Sequence, residues 1–290
     1  MTPETLDRLR PFRERAIAQG IPADDVERWM TTARPCAALT QDRNADGAGP
    51  VVGRFGGPLL LPADTPDPFA PFVASIDLAA LPADATDLPL PPNGQLLLFA
   101  LPERSDDYSP MGSVVYVPAG TAVEERDRHS WNEDEDDEYR EMFEDFPQGR
   151  LRATPDVSLP YHGAATSSEA PGCAPLPRHP RSVELAKIWE RLQADAHHPT
   201  GRDFQIGGYA DEEAVYTDPV ATAVHRALKA VEAGLWEGPV SDNVEDWVLL
   251  ADWYCGVGGW ESSTVHWVIQ REDLSAQRFD RAYTDVFWNP

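Results

Sequence analysis

The stretch Asp246–Arg271 constrains the fold most, because it reads as two strands joined by a glycine-rich connection. The two strand-like runs, Trp247–Trp253 and Thr264–Gln270, alternate in side-chain character, so every second residue shares one face of its strand. Three glycines lie in the connection between them. Six of the nine tryptophans lie from Trp236 onward. This end of the chain is therefore predicted to supply much of a hydrophobic core.

The region from Pro50 to Pro118 contains thirteen prolines. Proline removes a backbone donor and interrupts helices, so this density predicts short strands with fixed turns. The run Leu96–Leu101 is apolar on both faces, which predicts a central strand covered on both sides. The predicted strands are Val51–Phe55, Phe72–Leu78, Gln95–Leu101 and Ser113–Val117, with a further strand over Leu151–Leu159.

Helices are predicted in three parts of the chain. Residues 3–34 carry two apolar stripes at helical spacing, which predict two helices. Ser182 can cap a third helix, and the pair Asp218-Pro219 starts a fourth that ends near Gly234. The two N-terminal helices are expected to pack on the sheets.

One pattern occurs twice: a diglycine, a strand that contains an aspartate, a glycine, and then an apolar strand. The first copy contains Gly56-Gly57 and Asp77, and the second contains Gly207-Gly208 and Asp252. Such a repetition predicts two related halves that share one sheet system. We therefore expect an α+β fold with antiparallel or mixed sheets built from a pseudo-duplicated unit.

The whole chain, residues 1–290, is expected to form a single compact domain. Its predicted segments are an N-terminal helical segment (1–49), a first half with an acidic insertion (50–160), a loop with a helix (161–204) and a second half (205–290).

The chain is strongly acidic, since 24 Lys and Arg residues against 49 Asp and Glu residues give a formal net charge of −25. Such a charge repels nucleic-acid phosphates and anionic lipids, so neither is an expected partner. No apolar run approaches the roughly 18 residues that cross a bilayer, and the N-terminus has no signal-peptide core. The three cysteines are far apart and never in CxxC spacing, which indicates a reducing cytoplasm.

The negative charge is concentrated in Glu124–Asp145, which has 12 acidic and 3 basic residues. Blocks of like charge usually lie in water, so one interpretation of this segment is a solvated insertion. A second is a surface that captures a basic protein, and a third is a calcium site in Glu133–Glu138. Charge alone does not decide between the three.

Several short motifs occur in a fixed order along the chain. They are Arg54-Phe55-Gly56-Gly57-Pro58, Ser75-Ile76-Asp77-Leu78, Pro92-Asn93-Gly94-Gln95-Leu96, Gln205-Ile206-Gly207-Gly208-Tyr209 and, after Trp260-Glu261, Val265-His266-Trp267-Val268-Ile269. In this order they resemble the signatures of the YwqG-like family (domain of unknown function 1963), although Ser75 and Leu250 stand where that family has glutamine. The resemblance implies a mixed α+β fold from a duplicated unit. No established activity comes with it, so it assigns no catalytic residue.

Two aspartates, Asp77 and Asp252, lie within apolar strands, where an unpaired carboxylate is costly. The structural interpretation is that backbone N–H groups of a nearby turn bind each of them. The functional interpretation joins both with Glu261, as paired carboxylates or a hard-cation site in a cleft between the halves. His266 is a separate candidate for a general base, which would need a carboxylate to orient it and a nucleophile within reach. Trp260 is the remaining candidate for binding, as one of the tryptophans that would line an apolar cleft for a small ligand.

The sequence contains no complete catalytic constellation, and we predict no catalytic residue, metal ligand or cofactor. We therefore expect a non-enzymatic interaction module, for example an immunity-like protein whose acidic segment covers a basic toxin. The alternative is a metal-dependent hydrolase or a small-ligand-binding protein that uses Asp77, Asp252, Glu261 and His266 in a cleft between the halves.

Overall fold

In the computed structural model, the chain folds around one large antiparallel sheet. The structure describes residues 6–42, 49–128, 143–160, 178–196, 204–210, 218–258, 260–261 and 263–288. The strands are β1 Arg34–Gln41, β2 Val51–Phe55, β3 Leu59–Leu61, β4 Phe72–Asp77, β5 Gln95–Ala100, β6 Gly112–Val117, β7 Glu124–Arg126, β8 Gly149–Ser158, β9 Phe204–Gly207, β10 Trp247–Cys255, β11 Ser263–Gln270 and β12 Tyr283–Trp288. The helices are α1 Arg10–Ala18, α2 Ala23–Met30, α3 Ser182–Ala196, α4 Pro219–Glu232 and α5 Arg271–Ser275. Of the loop with a helix predicted over 161–204, the helix is α3, whereas residues 161–177 and 197–203 lie outside the described residues.

Within the described residues, ten strands form one sheet in the order β12-β11-β10-β9-β1-β8-β2-β4-β5-β6. Every neighbouring pair in this sheet is antiparallel. Strands β3 and β7 form a separate two-stranded ribbon. The expected α+β fold is therefore confirmed, and of the two expected arrangements, antiparallel or mixed, the main sheet has the antiparallel one.

The strand order runs in the same way from the centre of the sheet to each edge. Strands β2, β4, β5 and β6 follow one another to one edge, and β9, β10, β11 and β12 follow one another to the other. Strands β1 and β8 lie between these two meanders. Strand β1 pairs with β9 and strand β8 pairs with β2, so each central strand joins the meander that does not follow it along the chain.

Strand β1 lies at the centre of the sheet, although its residues fall in the segment 1–49 that is predicted as helical. Its sequence, RPCAALTQ, has little of the β-branched and aromatic character of a typical strand, so pairing on both sides stabilises it. Pro35 is tolerated because the ladder with β9 begins only at Cys36, which leaves the proline at the end of the central pairing.

The sheet curls until its two edge strands approach each other. The backbone N–H of Met111, next to β6, donates a hydrogen bond to the Thr284 carbonyl of β12 at 2.9 Å. We call this contact between residues 99–111 and strands β11 and β12 the seam. Three side chains of the second meander also donate to main-chain carbonyls of the first: Trp267 Nε1 to Phe99 (3.1 Å), Ser263 Oγ to Pro102 (2.9 Å) and Tyr283 Oη to Tyr108 (2.6 Å).

The two faces of the sheet bury different groups of apolar side chains. One face forms the main core, which includes Trp253 and Trp267. The opposite face of β10, β11 and β12 packs on α4, with Trp247 and Tyr283 in the contact. Helices α1 and α2 pack on one another and on α3, and Val157 of β8 belongs to the same cluster.

Candidate functional site

Asp77 ends strand β4 and caps the turn that follows. Its Oδ1 accepts a hydrogen bond from the backbone N–H of Ala79 at 3.0 Å, at the start of the 3-10 turn Leu78–Ala80. Its partner across the ladder is Gln95 of β5. A backbone N–H group thus binds the Asp77 carboxylate, as the structural interpretation of this residue expects.

Asp252 and His266 lie side by side on β10 and β11, where they are register partners. Asp252 Oδ1 is 3.7 Å from His266 Nδ1, and the two residues are only 5% and 1% exposed. This distance is longer than a direct hydrogen bond. Asp77 lies five strands away from Asp252 in either direction around the curled sheet, so the structure does not bring these two aspartates together.

The register extends this pair into a row of four polar side chains across four strands. His266 lies opposite Asp285 of β12, and Asp252 lies opposite Gln205 of β9. All four residues are buried. Because side chains alternate along a strand, the row lies on the face that α4 covers and not on the face of the main core. We call Gln205, Asp252, His266 and Asp285 the polar row.

Arg226 of α4 binds the end of the polar row and connects it to the seam. Its Nε lies 2.8 Å from Asp285 Oδ1, with both side chains almost fully buried. Its Nη2 donates a hydrogen bond to the Ser105 carbonyl at 2.6 Å, and its guanidinium lies over the Tyr108 ring at 5.3 Å. Tyr108 has a φ of 67°, which is strained for an aromatic residue. One guanidinium thus joins the two meanders at a point of backbone strain.

Burial controls the titration of the Asp285 carboxyl. It raises the pKa of Asp285 from 3.8 to about 6, although the Arg226 charge acts in the opposite direction. The desolvation of a buried carboxylate can exceed the attraction of a single cation, which explains the sign. Asp285 therefore exchanges its proton in mild acid.

The polar row has the residue types of a base with its orienting carboxylate, but it is enclosed. Among the described residues the row is covered, so a substrate would reach His266 only if the surrounding elements moved. Cys255 at the end of β10 is also buried, and burial raises the pKa of its thiol to about 12. A thiol with this pKa is not a nucleophile at neutral pH.

Trp260, which the sequence suggests as a cleft residue, packs within the main core. Its ring stacks on Phe143 with centroids 5.5 Å apart and lies edge-on to Phe146 at 6.3 Å. Phe146 also contacts Trp253 at 5.4 Å. We call these four rings the aromatic clamp. The neighbouring Glu261 is exposed, so it is not part of the buried polar row.

The acidic segment, residues 124–145, is attached to the fold at both ends. It begins as strand β7, which pairs with β3, and Phe143 near its end lies in the aromatic clamp. Residues 129–142, which include Glu133–Glu138 of the predicted calcium site, lie outside the described residues. The described acidic side chains of the segment are all exposed: Glu124, Glu125, Asp127, Glu144 and Asp145.

Neither a metal-binding cluster nor a membrane-spanning helix is found in the described part of the chain. No three His, Cys, Asp or Glu side chains in that part are arranged to hold a metal ion. Every helix there is too short or too polar to traverse a lipid bilayer.

Three residues of this site were missed from the sequence: Gln205, Arg226 and Asp285. A signal for Asp285 was present, because it interrupts the apolar run Tyr283–Trp288 just as Asp252 interrupts its own strand. Arg226 lies on the buried side of an amphipathic helix, where a charged residue indicates a buried partner of opposite charge.

The comparison with protein families matches this architecture to one of them. The model described as a domain of unknown function, DUF1963, matches residues 53–286, which include the acidic segment, the seam and the polar row. Comparison with curated proteins finds no match. Because the family match covers more than half of the chain, this protein belongs to the DUF1963 family, as its motifs predicted.

Proposed function

We propose that this protein is a non-enzymatic interaction module that binds a basic protein through residues 124–145. The observation that carries the proposal is the attachment of this acidic segment at both ends, by the β3–β7 pairing and by the aromatic clamp. A segment whose ends are fixed loses less conformational entropy on binding than a free tail. More of its electrostatic attraction then contributes to affinity.

The charge of the segment defines the partner. Its 12 acidic and 3 basic residues favour a cationic surface, and complementary charge accelerates encounter while it disfavours acidic competitors. An immunity-like role, in which the segment covers a basic toxin, is one concrete form of this function. We place the interaction in the cytoplasm, on the basis of the three widely spaced cysteines. The enclosure of the polar row supports a role without catalysis.

The test compares two variants of equal net charge. One replaces the six acidic residues of Glu133–Glu138 with Gln or Asn. The control replaces six exposed acidic residues elsewhere, so that both variants change the formal net charge from −25 to −19: Glu14, Asp24, Asp84, Glu190, Glu237 and Asp242. We expect the wild type and the control to recover the same partner from native extract, and the segment variant to lose it. Equal recovery by both variants contradicts the proposal.

We also infer that the two meanders descend from one duplicated unit. The inference is supported by the matching strand paths and by the diglycine turns after β2 and β9, in which all four glycines have positive φ. Asp77 and Asp252 lie on matching strands, but Asp77 faces Gln95 whereas Asp252 faces His266. An experimental structure should superpose the two meanders with these aspartates coincident. Aspartates at different positions in that superposition would exclude the duplication.

A small-ligand or hydrolytic site at the polar row is the second candidate function. The 3.7 Å approach of Asp252 to His266 favours it, because such a pair can orient and activate a proton-accepting imidazole. A thermal-shift screen with metals, nucleotides and metabolites, run on wild type and on His266→Gln, tests this candidate. A compound that stabilises only the wild type supports it, whereas a screen with no such compound removes it.

A further inference from the structure

The ribbon of β3 and β7 has one buried and one exposed face. The ladder places Leu60 opposite Glu125, whereas Leu59 and Leu61 point to the other side. Leu59 and Leu61 are buried in a small apolar cluster that also contains Ala70. The inner face of the ribbon is therefore packed, whereas Leu60 remains 42% exposed on the outer face.

Two more exposed apolar side chains lie next to the ribbon or to its packing residues along the chain. Val123 directly precedes β7, on the same side of the extended chain as Glu125, and is 41% exposed. Phe69 is 56% exposed, while the next residue, Ala70, packs beneath the ribbon. Arg126 holds the loop that carries Phe69 against β7, because its guanidinium donates to Asp67 Oδ1 at 3.2 Å and to the Ala63 carbonyl at 2.9 Å. We call Leu60, Phe69 and Val123 the apolar patch.

The surroundings of the apolar patch are acidic. The ribbon and its loop carry two basic residues, Arg126 and Arg128. They also carry five acidic residues: Asp64, Asp67, Glu124, Glu125 and Asp127. Arg126 is itself neutralised, since Asp67 and Glu124 both pair with it. The surface thus combines apolar contact area with a net negative charge at the start of the acidic segment.

We propose that the outer face of the β3–β7 ribbon docks an amphipathic segment of a basic protein, with apolar side chains on the patch and Lys or Arg on the surrounding carboxylates. This proposal rests on the proposed function and identifies where the partner is recognised beyond its charge. Charge complementarity selects the occupant, because a second copy of this chain would bring the same acidic side chains against each other. Apolar contacts at the centre with charges at the rim are the usual arrangement of a specific interface.

The test uses two fluorescent peptides of equal length and charge, one of Lys and Leu and one of Lys and Ser. Their binding is measured by anisotropy at low salt. A patch variant, Leu60→Ser with Phe69→Ser and Val123→Ser, is compared with a control that removes three other exposed apolar side chains: Leu6→Ser, Ile17→Ser and Leu235→Ser. We expect the wild type and the control to bind the Lys/Leu peptide about tenfold more tightly than the Lys/Ser peptide, and the patch variant to lose this preference.

The outcomes separate this proposal from the proposed function. If the wild type binds both peptides equally, or if the patch variant keeps the preference, the docking surface is refuted while charge-driven binding stands. If neither peptide binds the wild type at low salt, the docking surface and the proposed function fail together. Circular dichroism of the patch variant establishes that it is folded before binding is compared.

Discussion

The substitution Asp285→Asn tests the electrostatics of the polar row by its effect on the pH dependence of stability. In the folded protein burial raises the pKa of Asp285 from 3.8 to about 6, so the folded state holds this proton more tightly than the unfolded chain. The stability from Asp285 is therefore fully present below its unfolded pKa and is lost as pH rises through about 6. The asparagine in the variant cannot ionise, so the difference between wild type and variant reports the ionisation of Asp285 together with its coupling to the neighbouring polar groups.

The magnitude follows from the shift of about two pKa units, because each unit corresponds to about 1.4 kcal/mol. Over its full range the wild type should lose about 3 kcal/mol relative to Asp285→Asn. Between about pH 5 and about pH 8, where only part of the titration falls, the loss should be between about 1 and 2 kcal/mol. A stability difference between aspartate and asparagine that is the same at every pH does not change the sign of this pH dependence.

The assay is urea unfolding of both proteins, followed by tryptophan fluorescence at several pH values in this interval. Asp280→Asn, at an exposed site on the same C-terminal segment, serves as the control and should give a difference that does not change with pH. A wild type that gains stability relative to Asp285→Asn as pH rises would refute the reasoning. It would mean that the attraction of Arg226 exceeds the desolvation of the carboxylate.

Three further predictions concern Phe146, Asp77 and Cys255, whose surroundings are described above. In urea unfolding, Phe146→Ala should lower the free energy of unfolding by about 3–5 kcal/mol, because it removes one of the four rings of the aromatic clamp. Leu235→Ala, at an exposed site, should change it by less than about 0.5 kcal/mol. Asp77→Ala should cost about 1 kcal/mol in the same assay, through the lost cap on Ala79, and a change within error would show that the cap contributes nothing. Cys255 should react with a thiol reagent only as fast as the protein unfolds, because burial raises the pKa of its thiol to about 12. Peptide mapping at neutral pH measures this rate, and rapid labelling of the native protein would contradict the prediction.

Local sequence signals predicted most strands of the two meanders, but not β9 or the edge strand β12. The prolines between residues 50 and 118 separate β2, β4, β5 and β6, and the alternation in Asp246–Arg271 predicts β10 and β11. Strand β1 could not be predicted in this way, because its residues have weak strand propensity and their partners, β8 and β9, are more than a hundred residues away.

The polar row was only partly predictable for the same reason. Asp252 and His266 stand out as polar residues in apolar strands, but their pairing depends on a register shift between Leu249 and Ala251. Asp285 and Arg226 come together only because α4 packs on β12, which no local pattern encodes. Asp77 shows the reverse case, since its partner is the backbone two residues away and is therefore a local property of the chain.

The central claim is that the acidic segment is the surface that binds a partner. The most direct measurement is zero-length cross-linking in native extract, with a carbodiimide that joins carboxylates to lysines of a bound protein. The account predicts that most cross-links to the partner map to residues 124–145, and that they disappear when Glu133–Glu138 are neutralised. Cross-links that map mainly to carboxylates elsewhere on the chain, and that persist in this variant, would contradict it.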